Sequence, residues 1–380
     1  MAAPISNNGP RANNTGGNQF RREPTIAAGD SLFWRGIDAM YSYRFAEAHI
    51  LLDSVMTSDP DNPVAPLVSV GNRWQWALAE EGVVESYDAI LTGINTTLPR
   101  YEAMLERGVP EAEVWLYMGS TYGLRARIAI AQKRWMSVLY SGLKGFRLIQ
   151  RAQEQDSTLA DAWLAVGLFD YYGGISSAPI QVVARMFGIR PDRRLGLAEL
   201  ERAIREAPYA WVEAASIISI IYLYVEDNPH AAYRYTIMIR DRYPDNYYFN
   251  FLYAEELVRT GRLEAARQFL PQLRALVDRS HTKQRPEWDL KYGTLEAALA
   301  FEEGNLEKAL ERAEWVISNY RMEWDWHLGQ ALYLRGAIRE QRDDPAGALD
   351  DYKAVTRLDN ETWLMPLARR AVARMEHEDR

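Results

Sequence analysis

The chain has 380 residues, 48% hydrophobic and 25% charged, with a net charge of −8 and no cysteine. That length allows two compact domains or one extended repeat array, and 12 Trp with 22 Tyr exclude disorder over most of it. The dispersed acidity argues against nucleic acid as a partner, and the missing thiols exclude disulfides, a thiolate nucleophile and thiolate metal sites.

Residues 1–28 open the chain with "MAAPISNNGPRANNTGGNQFRREP", rich in Asn, Gly and Pro. The stretch lacks the apolar core of a signal peptide and is expected to be a disordered leader. It suits the tether behind a removed signal or lipid anchor, or the tail of a cytoplasmic protein.

From residue 30 onward nearly every segment has helical period, and strand alternation is scarce. The segments pair into eight predicted hairpins at 30–59, 63–108, 112–156, 160–207, 211–243, 247–278, 287–320 and 326–358. A last helix at 362–377, with Arg369, Arg370 and Arg374, reads as a polar cap. Pro-containing stops such as "SDPDNP" and "RYPDN" separate units. No apolar run reaches the roughly 20 residues needed to cross a bilayer. The most apolar stretch, "ASIISIIYLYV" at 215–225, reads as a buried helix.

The hairpins repeat one pattern. First helices carry a large residue, a glycine four on and a further residue three on. Trp115, Gly119 and Tyr122 do so, as do Trp163, Gly167 and Asp170, and Leu332, Gly336 and Arg339. Each glycine costs about 1 kcal/mol of helix propensity and is tolerated where two helices cross closely. Second helices carry a small residue followed by apolar residues four and seven on. Ala48, Leu52 and Val55 begin the series, which continues with Ala266, Leu270 and Leu273. Ala309, Ala313 and Val316, then Ala348, Tyr352 and Val355, follow the same rule. This spacing puts each triad on one helix face.

The pattern resembles the tetratricopeptide repeat (TPR) superfamily over nearly the whole ordered chain. The resemblance implies an all-α fold: a right-handed superhelix (α-solenoid) of about eight TPR-like hairpins with a C-terminal capping helix, forming a single domain over 29–380. Residues 159–204 also resemble the tetratricopeptide repeat protein 39 family and related bacterial envelope proteins. Gly196, Leu197, Leu200 and Ala203 match that family's G-L-x-x-L-x-x-A helix. The resemblance implies an adaptor and no reaction.

Residues 173–193 are extra length inside the fourth hairpin. Gly173 and Gly174 are expected to end its first helix. "PIQVVARMFGI" then starts a short helix whose stripe is Ile180, Val183, Ala184 and Phe187. The stripe is expected to pack on the chain's own superhelix, with a partner helix or a membrane surface as the alternatives. Its glycines match neither a dinucleotide fingerprint nor a P-loop.

No residue set forces a reaction. His49, His230, His281, His327 and His377 lie at no metal-binding spacing, and no metal, cofactor or catalytic residue is expected. Glu80–Glu81, Glu255–Glu256 and Glu302–Glu303 read as solvated surface, because helix neighbours point in different directions. Repeat phase instead points to a concave groove. It selects Phe33, Asp161, Tyr171, Tyr224, Tyr248, Phe251, Glu255, Phe301, Tyr333 and Glu340, with Tyr172 and Arg259 at the edge. The competing reading is that these aromatics fill a tightly wound inner surface.

The function expected is a non-enzymatic scaffold that binds a protein or peptide partner. A carbohydrate-binding cell-envelope protein and an all-α glycosidase are the alternatives. The expected location is the periplasm or cell envelope, with the cytoplasm as the other choice.

Overall fold

The computed structural model of the chain describes residues 30–176, 181–182, 185, 190–358, 360 and 362–378. The expected leader and the stripe at Ile180, Val183, Ala184 and Phe187 lie outside the described residues. Among the described residues there are seventeen α-helices and no strands.

The helices form the eight expected hairpins. They are α1 (Asp30–Tyr41) with α2 (Phe45–Ser58), α3 (Val64–Glu80) with α4 (Val83–Glu106), and α5 (Glu111–Ala131) with α6 (Trp135–Gln155). Then come α7 (Ala162–Ile175) with α8 (Arg193–Glu206), and α9 (Trp211–Ile220) with α10 (Pro229–Arg242). A π-helical turn, Ile221–Val225, extends α9. The last hairpins are α11 (Tyr247–Arg259) with α12 (Leu263–Asp278), α13 (Arg285–Glu302) with α14 (Leu306–Asn319), and α15 (Trp326–Gln341) with α16 (Pro345–Thr356). Helix α17 (Leu364–Glu378) closes the stack on α16. The fold is an all-α solenoid of helical hairpins.

Local chemistry explains the hairpin turns. Asp192, Asn228, Asn246, Asn305 and Asp344 each accept a backbone N–H of the first turn they precede, so they act as N-caps. Every second-helix triad named from the sequence is buried. Two helices meet closely in the fourth hairpin: a Cβ on Gly167 would lie 2.9 Å from the Gly196 carbonyl oxygen, and one on Gly196 would lie 2.6 Å from the Gly167 oxygen. Gly173 and Gly174 do not end α7, which continues to Ile175. Their role is steric: a Cβ on Gly173 would lie 2.6 Å from Pro191 Cβ, and one on Gly174 would meet the backbone of Asp192 and Arg193. The chain returning from the insert therefore runs directly against the glycine face of α7.

The superhelix is tightly wound. Hairpin α1–α2 packs against residues about one turn later. Tyr43 stacks on Tyr247 at 4.1 Å, Arg242 pairs with Asp38 at 2.5 Å, and Asn246 Nδ2 donates to the Tyr41 carbonyl at 2.7 Å. Trp34 and Phe33 both lie 5.2 Å from the Tyr209 ring. One apolar cluster consequently runs from Phe33 to Leu299 without a break between repeats.

Asp161 locks the joint between the fourth and fifth hairpins. Its buried carboxylate accepts the Tyr117 hydroxyl at 2.8 Å and the backbone N–H groups of Tyr209 and Ala210 at 3.0 and 2.7 Å. Removing it strands three donors in a site closed to water. Asp161→Ala is expected to cost about 3 kcal/mol in urea unfolding. A loss under about 1 kcal/mol would mean that water satisfies those donors.

Candidate functional site

The tight winding decides where the sequence-selected groove residues go. Phe33, Asp161, Tyr171, Tyr224, Phe251 and Glu255 are buried, which corrects the expectation that they face an accessible groove. Tyr171 donates its hydroxyl to Glu226 at 2.6 Å, and Arg193 pairs with the same carboxylate. Tyr224 packs on Trp326, and its carbonyl accepts the Trp363 N–H at 2.9 Å. Phe251 lies between Trp288 and His327. Arg259 bonds Asp227 at 2.5 Å and stacks on Trp363 at 4.0 Å, so the segment before α17 covers that end of the inner face. Phe301 packs with Leu306 and Leu310 of its own hairpin. Tyr333 meets Tyr352 at 5.3 Å, and Glu340 accepts from Tyr352 and pairs with Arg374. Tyr248 is half-buried, and Tyr172 is the one exposed residue of the twelve, at 44%.

The adjacent carboxylates Glu255 and Glu256 also depart from expectation. Both are buried rather than solvated. Glu255 accepts from Gln330 at 2.7 Å, and Gln330 meets Nδ1 of His327 at 3.1 Å. Burial pushes the His327 imidazole down to about 3, so it stays neutral within this network. Glu256 pairs with Arg262. Among the described residues no group of three His, Asp or Glu converges as a metal site.

The winding gathers charged and aromatic side chains of non-adjacent repeats into one inner cluster, called the chamber. Arg127 of α5 crosses it to Glu323, 196 residues away, at 3.0 and 3.1 Å. Its guanidinium lies over Trp74 of α3 at 5.0 Å and Trp324 at 5.6 Å. Tyr87 of α4 donates to Glu323 at 2.7 Å. Desolvation pushes the Glu323 carboxyl up, but Arg127 and Tyr87 outweigh it and hold the group below the usual range.

Glu213 of α9 is the second carboxylate of this chamber. It is exposed, yet the helices around it desolvate its charged form and raise its pKa, with Arg127 opposing. Its charge is felt by Tyr41 of α1 and Tyr248 of α11, so with Arg127 of α5 three other hairpins contribute groups near it. Among the described residues Glu213 accepts no hydrogen bond and forms no ion pair within 4 Å. Tyr172 lies on the same wall, close enough to influence Tyr248. The chamber thus combines aromatic faces, one ion pair already made, and one exposed carboxylate that feels Arg127 without bonding to it.

Repeat phase missed Glu213, Arg127, Glu323, Trp74, Trp324 and Tyr87. The π-helical turn at Ile221–Val225 adds a residue to the fifth hairpin, so counting phase through Tyr224 steps over Glu213. The available signal was Ser219, a small residue followed by Tyr222 three later, which registers Glu213 on the inner face. Arg127 and Trp74 sit on helices longer than the repeat standard, and Glu323 lies in a connection, where phase says nothing.

No family model matches the chain, and no curated protein is similar to it in sequence. Solved structures are similar in architecture. A tetratricopeptide repeat protein from Parabacteroides merdae is 12% identical, with 92% of this chain and 98% of that one covered and a TM-score of 0.39. Yeast Tom70 is 11% identical over 93% and 82% of the two chains, with a TM-score of 0.40. The C-terminal part of a TPR repeat-containing protein from Cytophaga hutchinsonii is 14% identical over 76% and 100%, at 0.37. None of them extends the narrower resemblance of residues 159–204.

Proposed function

We propose that the chain is a non-enzymatic scaffold whose inner chamber holds a segment of a partner protein by a basic side chain. The observation that carries this reading is Glu213: an exposed carboxylate with no hydrogen bond or ion pair among the described residues, near Tyr41 and Tyr248. An ammonium or guanidinium entering there would gain an ion pair in a desolvated setting and aromatic faces beside it. TPR-like architecture supports the class of function by analogy only. Placement in the cell envelope belongs to the same proposal and is motivated by the Asn- and Gly-rich leader.

Peptide display against the full chain tests it. Enriched peptides should share a Lys or Arg, and Glu213→Gln should weaken them about tenfold or more, the scale of one desolvated charge-assisted bond. Glu213 has no internal partner, so the variant should melt like the parent. Enrichment without a basic residue, or peptides indifferent to Glu213→Gln, would refute the reading.

A second reading rests on a specific feature of the same chamber. Glu213 and Glu323 both feel Arg127, and their pKa values are pushed in opposite directions. Divergent carboxylates beside Trp74 and Trp324 are the arrangement that sugar binding and acid–base hydrolysis use. A glycan array without hits for the parent chain would remove this reading, while hits lost in Trp74→Ala would favour it over the peptide.

A further inference from the structure

Hairpin α5–α6 differs from the rest of the chain in charge. Between Glu113 and Glu154 there are seven Lys or Arg and no Asp or Glu, in a protein of net charge −8. Helix α6 is apolar along much of its length. Ser141, Gly145, Phe146, Ile149 and Ala152 are buried against the solenoid. In its first two turns Trp135, Met136, Leu139 and Tyr140 are 64%, 79%, 43% and 60% exposed. The outer helix of a solenoid ordinarily turns a polar face to water, so four large apolar side chains there need an occupant.

The helices of this hairpin are long. Helices α5 and α6 have 21 residues each, against 14 in α7 and α8, so each is about 10 Å longer. The turn between them carries Ile130, 40% exposed, followed by exposed Lys133 and Arg134. Phe146 stacks on Phe169 at 4.0 Å, which aligns α6 with α7. In the next hairpin Ile175, Val182 and Leu195 are exposed too, at 39%, 51% and 49%, and the sequence has no acidic residue between Asp170 and Asp192.

We infer that this face docks on an anionic lipid surface. Charge complementarity selects the occupant. A tryptophan and a tyrosine beside lysines and arginines suit the headgroup boundary, where aromatic rings and long basic side chains each keep one end wet. A second copy of the chain would set one acid-free hairpin against another, and like charges would oppose it. No described helix is long and apolar enough to cross a membrane, so the contact is peripheral. The first turns of α6 supply the apolar anchor, and the α5–α6 turn supplies the charge.

Co-sedimentation of the full chain with vesicles tests this. Binding is expected to vesicles of mixed phosphatidylglycerol and phosphatidylcholine, to fall with added salt, and to be absent with phosphatidylcholine alone. The double variant Trp135→Ser, Tyr140→Ser should lower vesicle binding at least tenfold. Both side chains are exposed, so its circular dichroism and melting should match the parent. The variant Lys133→Glu, Arg134→Glu should abolish the anionic preference. Failure to bind anionic vesicles, or equal binding by the Trp135 and Tyr140 variant, overturns the inference. So does light scattering that finds a dimer dissociated by those same substitutions, because the face is then an interface between copies. Capture of an acidic protein through this face, without vesicle binding, overturns it as well.

Discussion

Gly196→Ala is expected to destabilise the chain by about 3 kcal/mol in urea unfolding, although it adds only one methyl group. The reason is what that methyl meets. Its nearest neighbours would be the backbone nitrogen and Cα of Tyr171 and the carbonyl oxygen of Gly167. Backbone cannot rotate away as a side chain can, so α7 and α8 must separate. Separation pulls on Tyr171 and its bond to Glu226, and on the adjoining Asp170–Glu199 contact. Gly336 is the control. A Cβ there meets the Tyr352 ring at 3.0 Å and Asp351 Cβ at 3.2 Å, both on side chains. Gly336→Ala should cost less, and its gain in helix propensity of about 1 kcal/mol offsets part of the crowding. Gly142 has no atom within 4 Å of an added Cβ, so alanine there should leave stability unchanged or raise it. If all three variants melted together, the crossing in the fourth hairpin would not be close, and the account of the insert would fall with it.

The same contrast explains what could be read from the sequence. Hairpin boundaries were legible because helix starts and stops carry local chemistry: Asn246 and Asp344 cap, and Gly167 and Gly196 permit a crossing four residues before each bulky contact. Superhelical winding is not local. Whether Phe33 faces solvent depends on Tyr209, and whether Tyr224 does depends on Trp326 and Trp363, none of which is near it in the chain. Phase therefore identified the inner wall but not how tightly it closes. Burial of Glu255 was lost for the same reason, since its partner Gln330 lies 75 residues on, whereas Arg262, the partner of Glu256, is only six residues away. The chamber pairing of Arg127 with Glu323 joins residues from hairpins about one superhelical turn apart, and no repeat pattern anticipates such a pair.

Stability is expected to fall as pH rises from about 5 to about 8, and Glu199→Gln should remove most of that fall. Glu199 of α8 and Asp170 of α7 are both buried, and each, once ionised, raises the energy of ionising the other. Burial pushes the Glu199 carboxyl up to about 8, reinforced by the Asp170 charge and opposed by Arg202. Burial raises Asp170 too, and nearby Asp192 adds to the effect through its charge. Two carboxylates this close retain one proton between them, and the folded state holds that proton more tightly than the unfolded chain does. The sign follows from that difference. The contribution is fully present below the unfolded carboxylate range near 4.3, and it is lost as pH climbs through the folded value. The size of the fall is set by the release of that one proton. A glutamine at 199 is neutral, as the protonated acid is, but it carries no proton to lose. The variant should match the parent near pH 5 and exceed it near pH 8.5 in urea midpoints. Parallel pH profiles for the two proteins would mean that the pair ionises independently. A variant weaker at every pH would mean that the carboxylate form is the one the fold requires.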